Sequence, residues 1–482
     1  MRPPRQGLLL VTDNKPAAVA AVASVVDPEA WATELETATE LISGRFSRPE
    51  AAGNAVDLVT GLVSDLERKN CWTIAERAGH RTPDRLQHLL ARAAWDVDGV
   101  RDDLRGYVTA RLLGPGEEAV LVIDETGDLK KGTATVGVQR QYTGAAGRVE
   151  NAQVVENAQV AVFCTLVAAR GHTFIDRALY LPRCWADDPD RRHQAGVPDH
   201  VDFATKPALA TDMITRAITG GVPARWVTGD EVYGACPNLR ARLRDLGLGY
   251  VLAVASNHRA TYPGAEEPDT ASDLALTTHT WQRLCPGPGA KGQRCYSWAR
   301  TPIEPEDGNS GRHWLLIRRN DTTKELAYYR CWHPNPVPLA DLVAVAAKRW
   351  RIEENFQAAK GHVGLDQHQV RRWGSWHRWT TLAMWAHALL TIMATTTRDT
   401  DTTTSDGLIP ITLAKARRLL LATWQRARSL AHTLAWSHWR RQHQHRAQQD
   451  HNRRRGDPTP DPQLRALLTV RRTQLADSFG VR

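Results

Sequence analysis

Three acidic residues stand where a fold could bring carboxylates together. Asp124 follows the apolar run at 120–123 in Ile-Asp-Glu-Thr-Gly, and Asp230 follows 225–229 in Gly-Asp-Glu-Val-Tyr-Gly. Glu353 lies in Lys-Arg-Trp-Arg-Ile-Glu-Glu-Asn-Phe-Gln-Ala-Ala-Lys. Carboxylates are the hard oxygen ligands that Mg²⁺ takes. A cluster of them can hold two ions about 3.5–4 Å apart, one activating an attacking oxygen and the other stabilising a leaving one. Each acid alone has an ordinary alternative, as the cap of a turn or half of a solvated ion pair. Glu125 and Glu231 follow the two aspartates, and strand alternation turns them to the opposite face. Asp128 is a further rival in the first motif.

The segment around Glu353 predicts a helix with two adjoining faces. At about 100° per residue, Arg349, Glu353 and Lys360 fall within roughly 40° of one another. Ile352, Phe356, Ala359 and Val363 form an apolar stripe beside them. Such a helix buries the stripe and presents Arg, Glu and Lys along its edge, with Arg349 and Lys360 placed to meet phosphate. Glu354, about 100° from Glu353, points elsewhere.

Both aspartates are expected at strand ends. The runs at 120–123, 160–168, 225–229 and 250–254 read as strands, and those at 206–218 and 237–246 as helices, an α/β pattern. Residues 255–340 are rich in Gly and Pro with strand-like pieces at 314–318 and 326–332, a β-rich insertion. Residues 28–115 read as a helical DNA-binding domain. Within it, 73–87 has the form of a helix-turn-helix, with Thr82 placed to cap the second helix and Pro83 at its first position. The expected organisation is a leader at 1–27, the helical domain at 28–115, the core at 116–254, the insertion at 255–340, the core again at 341–400, and a basic helical region at 401–482. Residues 149–154, Val-Glu-Asn-Ala-Gln-Val, recur unchanged at 155–160. An even insertion keeps the facing of a strand on either side.

A net charge of +9 and a pI near 9.3 favour a polyanionic partner. Seven cysteines stand singly with no C-x-x-C pair, so neither zinc nor a disulfide framework is expected. The apolar stretch near residues 17–26 is too short to span a bilayer, and no signal peptide is read, so the expectation is a cytoplasmic protein with no membrane partner. No G-x-x-x-x-G-K-[ST] loop occurs, so no nucleotide cofactor is expected.

The motifs carry a family resemblance. Residues 123–133, 136–144, 229–234, 349–361 and 363–367, in that order, resemble bacterial DDE insertion-sequence transposases, specifically insertion-sequence family 701, related to family 4. The resemblance implies an RNase H-like catalytic core interrupted by the β-rich insertion, with a helical N-terminal domain and a basic helical C-terminal tail. It maps the acidic triad onto Asp124, Asp230 and Glu353, holding two Mg²⁺ ions with Mn²⁺ as a substitute. It also implies double-stranded DNA, at the element ends and at the target, as substrate, and a homodimer on DNA. Family-4 relatives carry Tyr-x2-Arg-x3-Glu-x6-Lys. Arg349, Glu353 and Lys360 fit that spacing, while Ala346 replaces the Tyr. The family has Glu-Asn-x-Gln-Val once, where this chain has it twice.

Relatives stack a flipped base on a Trp of the insertion, which makes Trp298, between Tyr296 and Arg300, a candidate beside its ordinary reading as a core residue. Arg440, Arg441, Arg446, Arg453, Arg454 and Arg455 lie in a stretch almost free of acids and suit phosphate contact without sequence selectivity. Recognition of the element ends is then expected of the N-terminal helices. Two alternatives stand beside a working transposase: an inactivated or domesticated DNA-binding protein that does not cut, and a stand-alone metal-dependent nuclease.

Overall fold

The computed structural model describes residues 28–141, 156–289, 292–404 apart from 307 and 309, 410–423 and 430–454. The leader at 1–27, the first copy of the repeated hexapeptide, and Arg455 lie outside them. The second copy, from Glu156 on, begins a strand.

Five helices open the described chain: α1 (Pro28–Ser43), α2 (Pro49–Val63), α3 (Cys71–Arg77), α4 (Asp84–Ala91) and α5 (Val97–Leu112). The expected helix-turn-helix is α3 and α4, turning through Gly79 at φ 83°. Its caps differ from expectation. Asn70 caps α3, accepting from the backbone N–H groups of Trp72 and Thr73. Thr82 caps nothing; its hydroxyl donates to Asp84 Oδ2 at 2.8 Å, and Pro83 occupies the N-cap position of α4.

One sheet then runs through the molecule. Its strands are β1 (Ala119–Leu129), β2 (Gln139–Gln141), β3 (Glu156–Val167), β4 (His172–Leu179), β5 (Ala224–Gly229), β6 (Gly249–Val254), β7 (Gln282–Leu284), β8 (Tyr296–Pro302), β9 (Arg312–Arg319) and β10 (Leu326–His333). Their order is β2-β3-β1-β5-β6-β10-β9-β8-β7, with β4 also paired to β3. The β1–β5 and β5–β6 pairs are parallel and the others antiparallel. Within 255–340, β7 to β10 therefore extend the core sheet outward from β6, while the short pairs 259–260 with 269–270 and 288–289 with 292–293 stand apart from it. The buried residues of β8, β9 and β10 come in consecutive runs, which give no sign of which edge they join.

Helices α6 (Lys206–Thr219), α7 (Glu231–Gly234) and α8 (Pro237–Asp245) precede β6, and α9 (Leu339–Lys348) and α10 (Trp350–Ala358) follow β10. A π-helical turn, Ala359–Val363, ends α10. Then comes α11 (Trp373–Thr404), buried through most of its length between the N-terminal helices and β4. Its Trp385 donates to the carbonyl of Val100 and stacks on Tyr107, and Arg378 donates to the carbonyls of Leu90 and Ala93. The N-terminal helices and the sheet thus share one apolar core. Helices α12 (Leu413–Thr423) and α13 (Leu430–Arg454) close the described chain. No helix of the described residues is long and apolar enough to cross a membrane.

The cysteines depart from expectation. Cys285 and Cys295 are joined by a disulfide. The β7–β8 register sets Leu284 against Tyr296, so the next residue out on each strand faces the other. Cys164 and Cys331 are buried thiols as expected, while Cys184 is exposed.

Candidate active site

Parallel pairing of β1 with β5 stops at Ile123 and Gly229, so Asp124 and Asp230 emerge side by side where the shorter strand ends. Asp124 does not end its own strand, as the apolar run suggested. β1 continues to Leu129 because β3 remains beside it, pairing Asp124 with Phe163 and Leu129 with Ala158. Gly234 is fixed by the approach of β6: a Cβ there would lie 1.8 Å from the carbonyl oxygen of Ala253.

The apolar stripe of the Glu353 helix is buried as expected, at Ile352, Phe356, Ala359 and Val363. Phe356 packs on Phe163, the partner of Asp124 across the β1–β3 pair, so α10 covers the face that carries Asp124. Asn355, fully buried, fixes this docking through Thr165 on β3 and His172 on β4. Glu354 points elsewhere, as the wheel implied. Although burial opposes it, hydrogen bonds from His172 and Arg351 hold its carboxyl down to about 2.

The carboxylates that actually come together are Asp124, Glu125 and Asp230, with one oxygen of each within 4.8 Å of the others. The expectation that Glu125 faces away is corrected in part. Its strand position does send it towards α6 and α7, where it accepts from Lys206 Nζ at 2.6 Å and from the Tyr233 hydroxyl at 2.7 Å. However, β5 has ended beside it, so no backbone separates its long side chain from the aspartates. A tyrosine three residues after Asp230, on the turn that Asp230 itself caps, was the sequence signal for that partner.

Glu353 stands one residue further off. Arg349 Nη1 lies 2.9 Å from Glu353 and 3.8 Å from Asp124, bridging the two acids. Lys360 is brought to β1 by the π-helical turn and donates to Thr126 Oγ1 at 2.8 Å and to the carbonyl of Gly127 at 3.1 Å. Asp128 is no rival at this site; it is engaged by a hydrogen bond with His368 at 3.2 Å and by Lys360 Nζ at 3.7 Å.

Charge is poorly balanced at the aspartates. Burial, then the charge of Asp230, pushes the Asp124 carboxyl up to about 8. Burial and the charge of Glu125 raise that of Asp230, and burial raises that of Glu353 against the pull of Arg349. Two buried aspartate carboxyls side by side, both raised by burial and by neighbouring negative charge, are hard oxygen donors that fit a divalent cation.

Beside the acids opens a cavity of about 700 Å³, lined in part by Asp230, Arg294, Tyr296, Trp298, Arg349 and Trp350. Trp298 reaches it only as a wall. It is 2% exposed and packed against Tyr296 and Tyr329, a core position that offers no open ring face. Trp350 is the exposed ring there, with the Arg294 guanidinium 5.3 Å from its centroid. The basic tail is divided. Arg440 is held by Glu76 and lies over Trp436, whereas Arg441 and Arg453 are exposed; the side chains of Arg454 and Arg455 lie outside the described ones.

This arrangement agrees with what the chain is similar to. Residues 42–275 match the family model of the DDE superfamily endonuclease, a stretch that includes both aspartates and ends before Glu353. Over 203 residues, 42% of this chain, the sequence is 35% identical to a protein of Microchaete diplosiphon described as "Probable transposase for insertion sequence element IS701". The chain spans about half of that relative, 48% of its length. The insertion-sequence DDE resemblance read from the motifs is borne out by both. A solved piggyBac transposase synaptic complex with hairpin DNA aligns over 93% of this chain and 82% of its own, at 12% identity and a TM-score of 0.41.

Proposed function

We propose that the chain is a DNA transposase with an RNase H-like core that cuts and rejoins double-stranded DNA at the ends of its insertion sequence. The observation that carries this is the placement of Asp124 and Asp230 side by side at the end of the β1–β5 pairing, within the stretch matching the DDE superfamily endonuclease. Asp124 and Asp230 would hold Mg²⁺, or Mn²⁺ in its place, with Glu353 completing the set. Two such ions supply an activated attacking oxygen and a stabilised leaving oxygen. Glu125, with both oxygens engaged by Lys206 and Tyr233, holds the cluster in register. Arg349 sits between Asp124 and Glu353, the position from which a guanidinium can turn to a phosphate once the acids have another cation. Lys360, reaching β1 beside them from the π-helical turn, offers a second positive charge to the strand being cut. Pairing of two element ends calls for two copies of the chain on DNA.

Excision of the gene with its flanking DNA from a plasmid in cells tests the reading. Excision by the wild type and none by Asp124→Ala supports it. Excision by neither, with folded protein that still binds DNA, favours the non-cutting DNA-binding protein. Cutting that ignores the flanking repeats and joins no strands favours the nuclease.

A further inference from the structure

The C-terminal helix α13 has two halves with different surroundings. Its first half is braced by α3. His432 bonds the carbonyl of Glu76, Trp436 donates to the carbonyl of His80 at 2.8 Å, and Arg440 pairs with Glu76. Trp439 and His443 pack edge-on against Trp72, with centroids 4.8 and 4.7 Å away. Every residue from 441 to 451 is exposed, His443 of the brace among them.

The free half is polar all round. From Arg440 to Arg454 the sequence is Arg-Arg-Gln-His-Gln-His-Arg-Ala-Gln-Gln-Asp-His-Asn-Arg-Arg, with Ala447 the one apolar residue and Asp450 the one acid. A helix that docks in a protein groove, or pairs with a second copy, needs an apolar stripe, and this half has none. Its positive charge and its Gln and Arg content suit a different partner. Gln pairs in bidentate fashion with adenine, and Arg with guanine, at base edges in the major groove.

Geometry sorts these side chains. At about 100° per residue, His438, Gln442, His445 and Gln449 fall within roughly 60°, on a ridge turned about 130° from the braced side. The ridge is internally aligned: Gln442 lies 3.4 Å from His438, and Gln449 lies 2.9 Å from His445. Arg441 and Arg446 flank it, each roughly 70° from its centre. The half beyond Arg440 is about 21 Å long at 1.5 Å per residue, and the major groove, about 12 Å wide, admits one helix.

We propose that the outer half of α13 lies in the major groove of duplex DNA, where Gln442 and Gln449 read base edges while Arg441 and Arg446 hold the phosphates on either side. This rests on the DNA-transposase reading above and changes one part of the sequence expectation. Selectivity for the element ends then belongs to this helix as well as charge, and α3 acts as its brace.

The test is equilibrium binding of the full chain, at fixed salt, to short overlapping duplexes from the DNA flanking the gene and to scrambled duplexes of equal length. The expected wild-type result is preference for one flanking duplex. Gln442→Ala with Gln449→Ala is expected to cut that preference about tenfold or more, with scrambled-duplex binding unchanged. Arg441→Ala with Arg446→Ala is expected to weaken both alike and to flatten the dependence of log K on log salt by about 2. All four side chains are exposed, and an unchanged unfolding midpoint verifies the fold. Preference that survives the Gln pair overturns this inference and leaves the transposase reading standing. A wild type that binds no duplex at all overturns both.

Discussion

Replacing Asp124 by Asn is expected to stabilise the cation-free protein while abolishing its response to cation. Asn keeps the oxygen that accepts the Glu125 N–H at 2.8 Å and removes only the charge. In the fold, that carboxyl is pushed from 3.8 to about 8, so the folded chain binds a proton more tightly than the unfolded one. Stability from this group is present in full below pH 3.8 and is lost as pH rises towards 8. Between pH 6 and 8 the loss is about 2 kcal/mol, at 1.36 kcal/mol per pH unit and flattening as the carboxyl half-ionises near pH 8. Thermal or urea unfolding in a chelator at pH 6 and pH 8 measures it. Wild type is expected to lose stability across that interval and Asp124→Asn to lose much less. Mg²⁺ is expected to restore the wild type at pH 8, because the cation takes the unprotonated carboxylate, and to leave Asp124→Asn unchanged. Parallel pH curves for the two proteins, or equal gains with Mg²⁺, would refute the reasoning.

Gly234→Ala forces a Cβ to within 1.8 Å of a backbone carbonyl, and the expected cost, on the order of 3 kcal/mol, is read by urea unfolding. Trp298→Ala should lose about 3–5 kcal/mol in the same measurement, as a core residue does, whereas a wild-type midpoint would show that its ring is not part of the core. Burial pushes His377 and His387 down to about 3, so each is neutral in the fold and charged in the unfolded chain below about pH 6.5. Stability from this pair should therefore fall as pH drops from 6.5 towards 3, and His387→Gln should shallow that fall in an acid titration followed by circular dichroism. Lys360→Met should lower DNA cleavage while leaving the Mg²⁺-induced rise in unfolding midpoint intact, since Lys360 reaches Thr126 and Gly127 and none of the three clustered carboxylates.

The strands at 120–123, 160–168, 225–229, 250–254, 314–318 and 326–332, the Glu353 helix and both aspartates were legible because each rests on local pattern, whereas β4, β7 and β8 carry no comparable apolar run. The apolar stripe at Ile352, Phe356, Ala359 and Val363 needs only the helical repeat, and Asp124 and Asp230 need only an apolar run before an acid. What was not legible depends on where strands end relative to one another. Glu125 joins the aspartates because β5 is shorter than β1, a fact of pairing that no single segment carries. Arg349 between Glu353 and Asp124 was legible as a neighbour on the helix but not as a bridge, which depends on the depth at which α10 docks. Likewise, the placement of β8, β9 and β10 on the core sheet is set by the edge left open at β6, and the Cys285–Cys295 pairing follows from the β7–β8 register. The burial of Trp298 reflects neighbours from β10, distant in sequence.

Cleavage of a labelled duplex from the flanking DNA by purified protein, with Mg²⁺ and with chelator, tests the central claim most directly. The substitutions to compare are Asp124→Asn, Asp230→Asn, Glu353→Gln and Glu125→Gln. The expected result is Mg²⁺-dependent cutting at the element end that is abolished by the first three and only reduced by the fourth. Cutting that persists in Asp124→Asn or Asp230→Asn, or that needs Glu125 and not Glu353, would contradict the proposed site.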